Sequence, residues 1–387
     1  IRGSGLQQVE VYLDGIPLNP DGSSTVNLAE LPLRAFERVD IYRSLPPLWM
    51  GSAAMGGAVN LVSREEGVPH QVSAMGASHQ TGRLHGTTWQ EPKTKPMDIL
   101  VFGEAFSTEG DFLYFDDNGT LYNTTDDGEA TRQNNDKLQL STHGRLRWGS
   151  QRLRLSLLDA FLSREEGVPG HVQISTEQAR LQTRRNLVSA QVTSTREASR
   201  TTVNLYWLSR TETLDDRSGE LALTPYWKTD DFQHIGLSWD SRWARRGWLV
   251  PTVALHLRED LFQNTDLRLD EVFDPRRRRV GSLSLGADVL LFDERLSLSP
   301  SLRALAIDNR ALDGTPFADT PLVSADTASQ QALSPRLGLL LRPTADLAIK
   351  ATAGQYLRPP DLGELFGDRG GIVGNPSLRP ESGTQLD

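Results

Sequence analysis

The chain of 387 residues contains no cysteine, which removes disulfides, thiolate metal sites and cysteine nucleophiles together. That suits a protein that must cross an oxidising compartment without mispairing. No stretch approaches the roughly 18 consecutive apolar residues that a membrane helix requires, so any membrane crossing must be made by strands, whose alternation hides in the average. Positive charge is not in excess either. Against 50 Asp and Glu stand 41 Lys and Arg, a formal net charge of -9, which disfavours general nucleic-acid binding; the basic runs at 242–246 and 276–279 are short enough to be solvated loops. The seven histidines show no zinc-helix spacing, and neither a P-loop nor a nucleophile elbow occurs, so no enzyme is expected. Gly51-Ser52-Ala53-Ala54-Met55-Gly56 has glycines without the flanking strand and helix that would make a nucleotide site of them. The chain opens at Ile1-Arg2-Gly3 without an initiator methionine or an apolar leader, and localisation has to be argued from the fold.

What the sequence does have is alternation. The first segment, to about Arg64, is rich in glycine and holds short strand patterns at 9–13, 39–42 and 58–62, which read as a small mixed domain. From about Pro69 the pattern becomes stretches of roughly ten residues in which apolar and polar side chains alternate, the length a tilted strand needs to cross a bilayer. The clearest runs from Leu138 to Trp148. Leu138, Leu140, Thr142, Leu146 and Trp148 share one face, and Lys137, Gln139, Ser141, His143, Arg145 and Arg147 share the other, so that one side suits lipid and the other water. The pattern recurs in Ile235, Leu237, Trp239 and Trp243 against Ser238, Asp240 and Arg242.

Connection lengths say more than any one strand. Short links at 149–151, 196–199, 245–247, 293–294 and 343–345 alternate with long ones near 107–136, 163–186, 211–230, 259–279, 308–331 and 357–384. Outer-membrane barrels have this asymmetry, whereas a soluble sandwich seldom has a long loop at every second connection, and no solenoid repeat is visible. About thirteen strands follow Val72, and the final loop should lead into another.

Several segments in fixed order carry a family resemblance. Ile1-Arg2-Gly3, Val9 to Asn19, Leu31-Pro32, Glu37 to Arg43, and Gly51 with Gly56 to Leu61 look like the successive plug motifs of TonB-dependent receptors. Arg358-Pro359-Pro360, Glu364-Leu365-Phe366-Gly367 and Gly374 to Glu381 resemble the mid-barrel signature of the same family, and Asp116 to Thr120 and Arg164 to Gly170 look like loops of its cobalamin- and siderophore-type members. The sequence departs from the family where Ser44 follows Arg43, glycine being usual there, and where Leu45-Pro46-Pro47 stiffens the next loop. The resemblance implies a mainly β protein: a small α+β plug domain over 1–66, truncated at its N-terminus, then over 67–387 an incomplete antiparallel transmembrane β-barrel of the roughly 22-stranded type.

Function and site expectations follow from the same resemblance. It implies TonB-dependent active transport of a large scarce ligand, a ferric siderophore or cobalamin, across the bacterial outer membrane. The protein would be a monomer in outer-membrane lipid, driven by a TonB-type periplasmic energy transducer. A signalling or adhesion receptor without import would share these motifs, whereas a passive porin would lack the plug. Ligand contacts are expected at the plug apex: Leu18 and Asn19 after the Asp14-Gly15 turn, and Pro47, Leu48, Trp49, Met50 and Ser52 before the paired glycines. Trp49 and Met50 offer apolar surface to a bulky ligand. Plug arginines of the family pair with glutamates on the inner barrel wall, which points to Arg2, Arg38 and Arg43 on one side and Glu364 and Glu381 on the other. The loop holding Asp111, Asp116, Asp117, Asp126 and Asp127 offers hard oxygen ligands suited to calcium, though not at EF-hand spacing, and a solvated acidic loop is the plainer reading. No other cofactor is expected.

Overall fold

The computed structural model describes the chain apart from residues 1–4, 6–7, 20–25, 44–45, 52–55, 65–69, 93–95, 121, 172–173, 222–223, 245–246, 274, 312–326, 345 and 367–373. Of the expected site, Arg2 and Ser52 lie outside the described residues.

The N-terminal segment forms a small sheet of β1 (Glu10–Leu13), β2 (Ile16–Pro17), β3 (Phe36–Tyr42) and β4 (Ala58–Ser63), in the order β2-β1-β4-β3. Strand β1 runs parallel to β4 and antiparallel to β2. Asp14 and Gly15, at φ 48° and 84°, make the two-residue turn between β1 and β2 that an Asp-Gly pair favours. One-turn 3-10 segments at Leu28–Glu30, Leu33–Ala35 and Leu48–Met50 carry the connections.

The rest of the chain builds one antiparallel wall with inserted loop hairpins. In chain order the strands are β5 (Gln71–Ala77), β6 (Thr81–Gln90), β7 (Met97–Thr108), β8 (Leu113–Asp116), β9 (Gly128–Thr131), β10 (Lys137–Gly149), β11 (Leu153–Gly167), β12 (Gly170–His171) and β13 (Ile174–Ser175). They continue with β14 (Arg180–Arg196), β15 (Ser199–Asp216), β16 (Tyr226–Trp243), β17 (Leu249–Asp266), β18 (Glu271–Val272), β19 (Arg276–Leu291), β20 (Leu296–Ala311), β21 (Thr327–Thr344), β22 (Leu347–Arg358) and β23 (Glu381–Leu386); α1 (Leu362–Phe366) lies between the last two. The pairs β8-β9 and β12-β13 are hairpins inside long loops, and β18 is a stub on β17. All the others pair with their chain neighbours in a single path from β5 to β23. The strands read from Val72 onward are those from β5 to β22, and the last loop does lead into one more. Among the described residues β5 and β23 do not pair with each other, so the wall is an open arc.

Burial along the wall is inverted relative to a water-soluble sheet. On β10 the polar Gln139, Ser141, His143, Arg145 and Arg147 are buried, while Leu138, Leu140 and Trp148 are 54%, 49% and 57% exposed. The same holds elsewhere: Arg185, Ser189, Asn204 and Arg210 are buried, whereas Val188, Val192, Val203, Leu205 and Trp207 are exposed. An apolar outer face with polar side chains turned inward is stable only where the outer solvent is hydrocarbon and the interior is filled by water or by another domain. Here the interior holds the N-terminal sheet. Val11, Leu13, Ile16, Leu18, Leu31, Phe36 and Leu61 share one buried cluster with Phe102, Leu158, Leu187, Tyr206 and Leu208 of the wall. The two parts are therefore packed together, and burying this surface contributes on the order of 25 cal/mol per Å².

Candidate functional site

The 3-10 turn at Leu48–Met50 packs both on the plug sheet and on the wall. Met50 is buried against Tyr12 and Ala58, with Trp49 packed on the same cluster. The Trp49 ring lies over Gly15, where a Cβ would come within 2.6 Å of it. Leu48 sits against Gly286 of β19, and its carbonyl accepts from Arg303 Nη2 of β20 at 3.4 Å. Pro47 leads into the turn, which makes the segment a wedge between plug and wall. Leu18 is in the shared core, 1% exposed. Asn19 clamps its own domain, accepting from the Val11 N–H at 2.7 Å and donating to the Val9 carbonyl at 3.2 Å. Of the residues expected at the apex, Leu18 and Met50 are buried, as apolar side chains favour, whereas Asn19, Pro47, Leu48 and Trp49 are half-buried.

Among the described residues, ion pairs between plug and wall run from a plug carboxylate to wall arginines, the reverse of the expected polarity. Arg38 is half exposed and paired locally with Asp40 at 3.1 Å and Glu37 at 3.9 Å. Arg43 is exposed, and its carbonyl accepts from Gln385 of β23 at 3.5 Å. Glu364 and Glu381 both bind Arg358 of the wall, at 2.7 and 3.3 Å. Neither meets a plug arginine among the described residues. What crosses the interface is a plug carboxylate. Glu30, 3% exposed, bonds Arg185 at 3.4 Å and Arg210 at 3.2 Å, and its backbone carbonyl accepts from Gln139 at 3.3 Å. Asn27 caps this turn through the Ala29 N–H.

Arg185 and Arg210 belong to a row that runs round the inner wall. In direct cross-strand register stand Arg185 of β14, Arg210 of β15, Phe232 of β16, Phe262 of β17 and Arg276 of β19. All five are buried on the inner face. Phe232 and Phe262 stack at 4.6 Å between centroids, and the Arg276 guanidinium lies 5.4 Å over the Phe262 ring. Leu362 and Phe366 of α1 cover the stack. The helix starts with a reciprocal cap: the Asp361 N–H donates to Glu364 at 2.9 Å and the Glu364 N–H to Asp361 at 2.7 Å, the arrangement that satisfies two orphan donors at once. Burial pushes the Asp361 carboxyl above its ordinary range. A row of guanidiniums around an aromatic pair can hold an anionic group and an apolar body side by side.

Carboxylates of the long loops are engaged by hydrogen bonds within and between those loops. Asp116 accepts from the Asn118 N–H, Asp117 from the Gly119 N–H, and Asp126 from Thr120 Oγ1 at 2.9 Å. Asp111 faces His79 at 3.3 Å. Among the described residues no three carboxylates or imidazoles, Asp127 included, converge as a group that could hold a metal ion. These carboxylates serve turns, which short acidic side chains do readily. Asp136 binds Arg180 through two bonds of 2.7 and 2.8 Å, and that guanidinium holds its carboxyl below the usual range. Glu220 accepts from the backbone of Glu177, Gln178 and Ala179, which likewise lowers it. An apolar hollow of 610 Å³ lies outside, lined by Val188, Leu205, Trp207 and Ile235. Those side chains point away from the lumen, where acyl chains would fill it.

The row was missed in the sequence because it exists only in cross-strand register. The signal present was an inward-facing Arg at the same parity as the other polar residues of each strand, but nothing linear aligns residues 185, 210 and 276.

Residues 76–387 match the family described as "TonB dependent receptor-like, beta-barrel", and residues 1–58 match "TonB-dependent Receptor Plug Domain". Among solved structures the chain is similar to a copper transporter, OprC, at 13% identity and TM-score 0.79, covering 100% of this chain and 61% of that one. It is similar to the siderophore receptor PirA of Acinetobacter baumannii at 14% identity and TM-score 0.76, covering 100% and 60%. The hemophore receptor HasR of Serratia marcescens, solved with its hemophore HasA and heme, matches at 15% identity and TM-score 0.73, covering 98% and 61%. At these identities the likeness concerns the fold. The chain spans about three fifths of the length of these relatives.

Proposed function

We propose, from the premise that this chain belongs to the TonB-dependent receptor family, that it forms plug and barrel-wall parts of an active importer in the bacterial outer membrane. The observation that carries this reading is the plug sheet seated against the polar inner face of a wall whose outer face is apolar. A wall of this kind without a plug would be an open pore. With the lumen occupied, passage requires the plug to shift, and the outer membrane supplies no nucleotide for that work; a periplasmic transducer of the TonB type pulling on the N-terminal side would provide it. The protein makes and breaks no covalent bonds in this scheme.

The cargo is a metal-bearing ligand too large for porins. Similar structures described as a copper transporter, a siderophore receptor and a hemophore receptor in complex with its hemophore and heme support this class, and cobalamin remains an arm of the test. A deletion strain is compared with its complemented parent for uptake of ferric chelates, heme, copper and cobalamin under limitation of each. Loss of one uptake on deletion is the expected result. Equal uptake of all four would overturn the import reading, and equal uptake with lost induction of transport genes would assign a signalling receptor instead.

A further inference from the structure

Three guanidiniums stand side by side on the inner wall at the level of Glu30. Arg164 of β11, Arg185 of β14 and Arg210 of β15 are all nine-tenths or more buried. Arg185 faces Arg210 across the strands, and Arg164 faces Thr183, two residues from Arg185. Three carboxylates answer them. Glu166 binds Arg164 and Glu212 binds Arg210, both from the wall itself, whereas Glu30 comes from the plug and binds Arg185 and Arg210 together. Glu166 is shared with Lys137 of β10 at 3.4 Å, so on the wall alone four cations face two carboxylates. Nε and Nη1 of Arg164 are buried without a hydrogen-bond partner among the described residues.

Like charges buried together are costly unless an anion sits among them, so Glu30 cannot withdraw unless another anion takes its place. We infer that Glu30 is an internal stand-in for the cargo: an anionic oxygen group of the ligand enters at Arg164, takes over Arg185 and Arg210, and releases Glu30 with the plug turn that carries it. The inference rests on the import reading and adds to it a ligand class and a trigger. The cargo bears a carboxylate or an equivalent anionic oxygen, and a neutral molecule of the same size does not free the plug. Beside the guanidiniums the Phe232–Phe262 stack offers the apolar body of the ligand a surface that Leu362 and Phe366 now cover. Binding and plug release are then one exchange equilibrium, and whatever weakens Glu30 strengthens the ligand by the same factor.

Citrate, iron-free and as its ferric complex, is the probe, titrated against the full-length receptor in lipid nanodiscs. Hydrogen exchange at the Glu30 and Leu31 amides, which donate to the Asn27 and Leu28 carbonyls, reports the turn. In the wild type citrate accelerates this exchange and its neutral trimethyl ester does not. Glu30→Gln binds citrate about tenfold more tightly, because the internal competitor is gone; adding Arg185→Gln to that variant abolishes the gain. Equal or weaker citrate binding by Glu30→Gln would overturn the inference, as would citrate-independent exchange in the wild type. If Glu30→Gln does not fold, Arg164→Gln decides: citrate affinity falls about tenfold, and unchanged affinity overturns the proposal. A receptor that imports its chelate normally yet shows no such competition keeps the transport reading and loses this one.

Discussion

Ser63 of the plug and His143 of the wall are 80 residues apart in sequence, and their Oγ and Nε2 atoms lie 2.9 Å apart. Asp14 closes the contact from the other side, accepting from the Ser63 N–H at 2.9 Å and from its hydroxyl. A turn residue, the end of β4 and a wall strand are thereby joined in one buried chain of polar groups, which holds only while all three are satisfied.

Burial raises the Asp14 carboxyl above its ordinary range, and the Ser63 hydrogen bonds only partly oppose this. A raised folded value means that the group's contribution to stability is fully present below its unfolded value, about 3.9, and is lost as pH rises through the folded one. Asp14→Asn keeps the acceptor for the Ser63 N–H, turns the other oxygen into an amide that donates to the Ser63 hydroxyl, removes the charge, and tolerates the left-handed backbone at φ 48° as asparagine commonly does. The expected outcome is a plug that resists urea better at pH 7 and a flatter stability profile between pH 4 and 7, read by plug-specific hydrogen exchange. A variant less stable at pH 7 than the parent would count against the assignment.

Gly57 permits the close crossing of β3 and β4. At φ 104°, a Cβ there would lie 2.3 Å from the Tyr42 carbonyl oxygen, a backbone atom with no room to yield. Gly57→Ala should cost about 1–3 kcal/mol from backbone strain alone and expose residues 36–63 to limited proteolysis. Gly76→Ala in β5, with nothing within 4 Å, is the matched control and should leave the digestion pattern unchanged.

Removing the cap of α1 should loosen its hold on the aromatic pair. Asp361→Ala is expected to cost about 1 kcal/mol, seen as faster amide exchange across residues 362–366 and altered Phe232 and Phe262 ring signals. Identical exchange in both proteins would show that Leu362 and Phe366 are held by packing alone.

Val188 lies near the middle of β14 on the outer face and is 41% exposed. Val188→Arg should cost roughly 2–4 kcal/mol when the full-length receptor folds into lipid vesicles, the depth-dependent penalty for a charge on a lipid-facing strand. In lipid-free detergent micelles that can deform around the guanidinium the penalty should shrink. A cost below about 0.5 kcal/mol in vesicles, the ordinary level for a surface substitution, would mean that this face does not meet lipid.

The sequence by itself determined what is periodic or local. The alternation of Leu138 to Trp148 told which side of β10 is the apolar outer face, because side chains on a strand must alternate. The short-long rhythm of the connections set the number and direction of the wall strands, and Asp14-Gly15 announced its turn through backbone preference alone. Only the tertiary structure decided which residues meet across the lumen. Nothing local says that Glu30 reaches Arg185 and Arg210, that Arg358 claims Glu364 and Glu381, or that Trp49 turns in over Gly15. Each depends on cross-strand register and on where the plug is seated. Those are global packing outcomes in which a one-residue slip would turn every side chain of a strand to the opposite face.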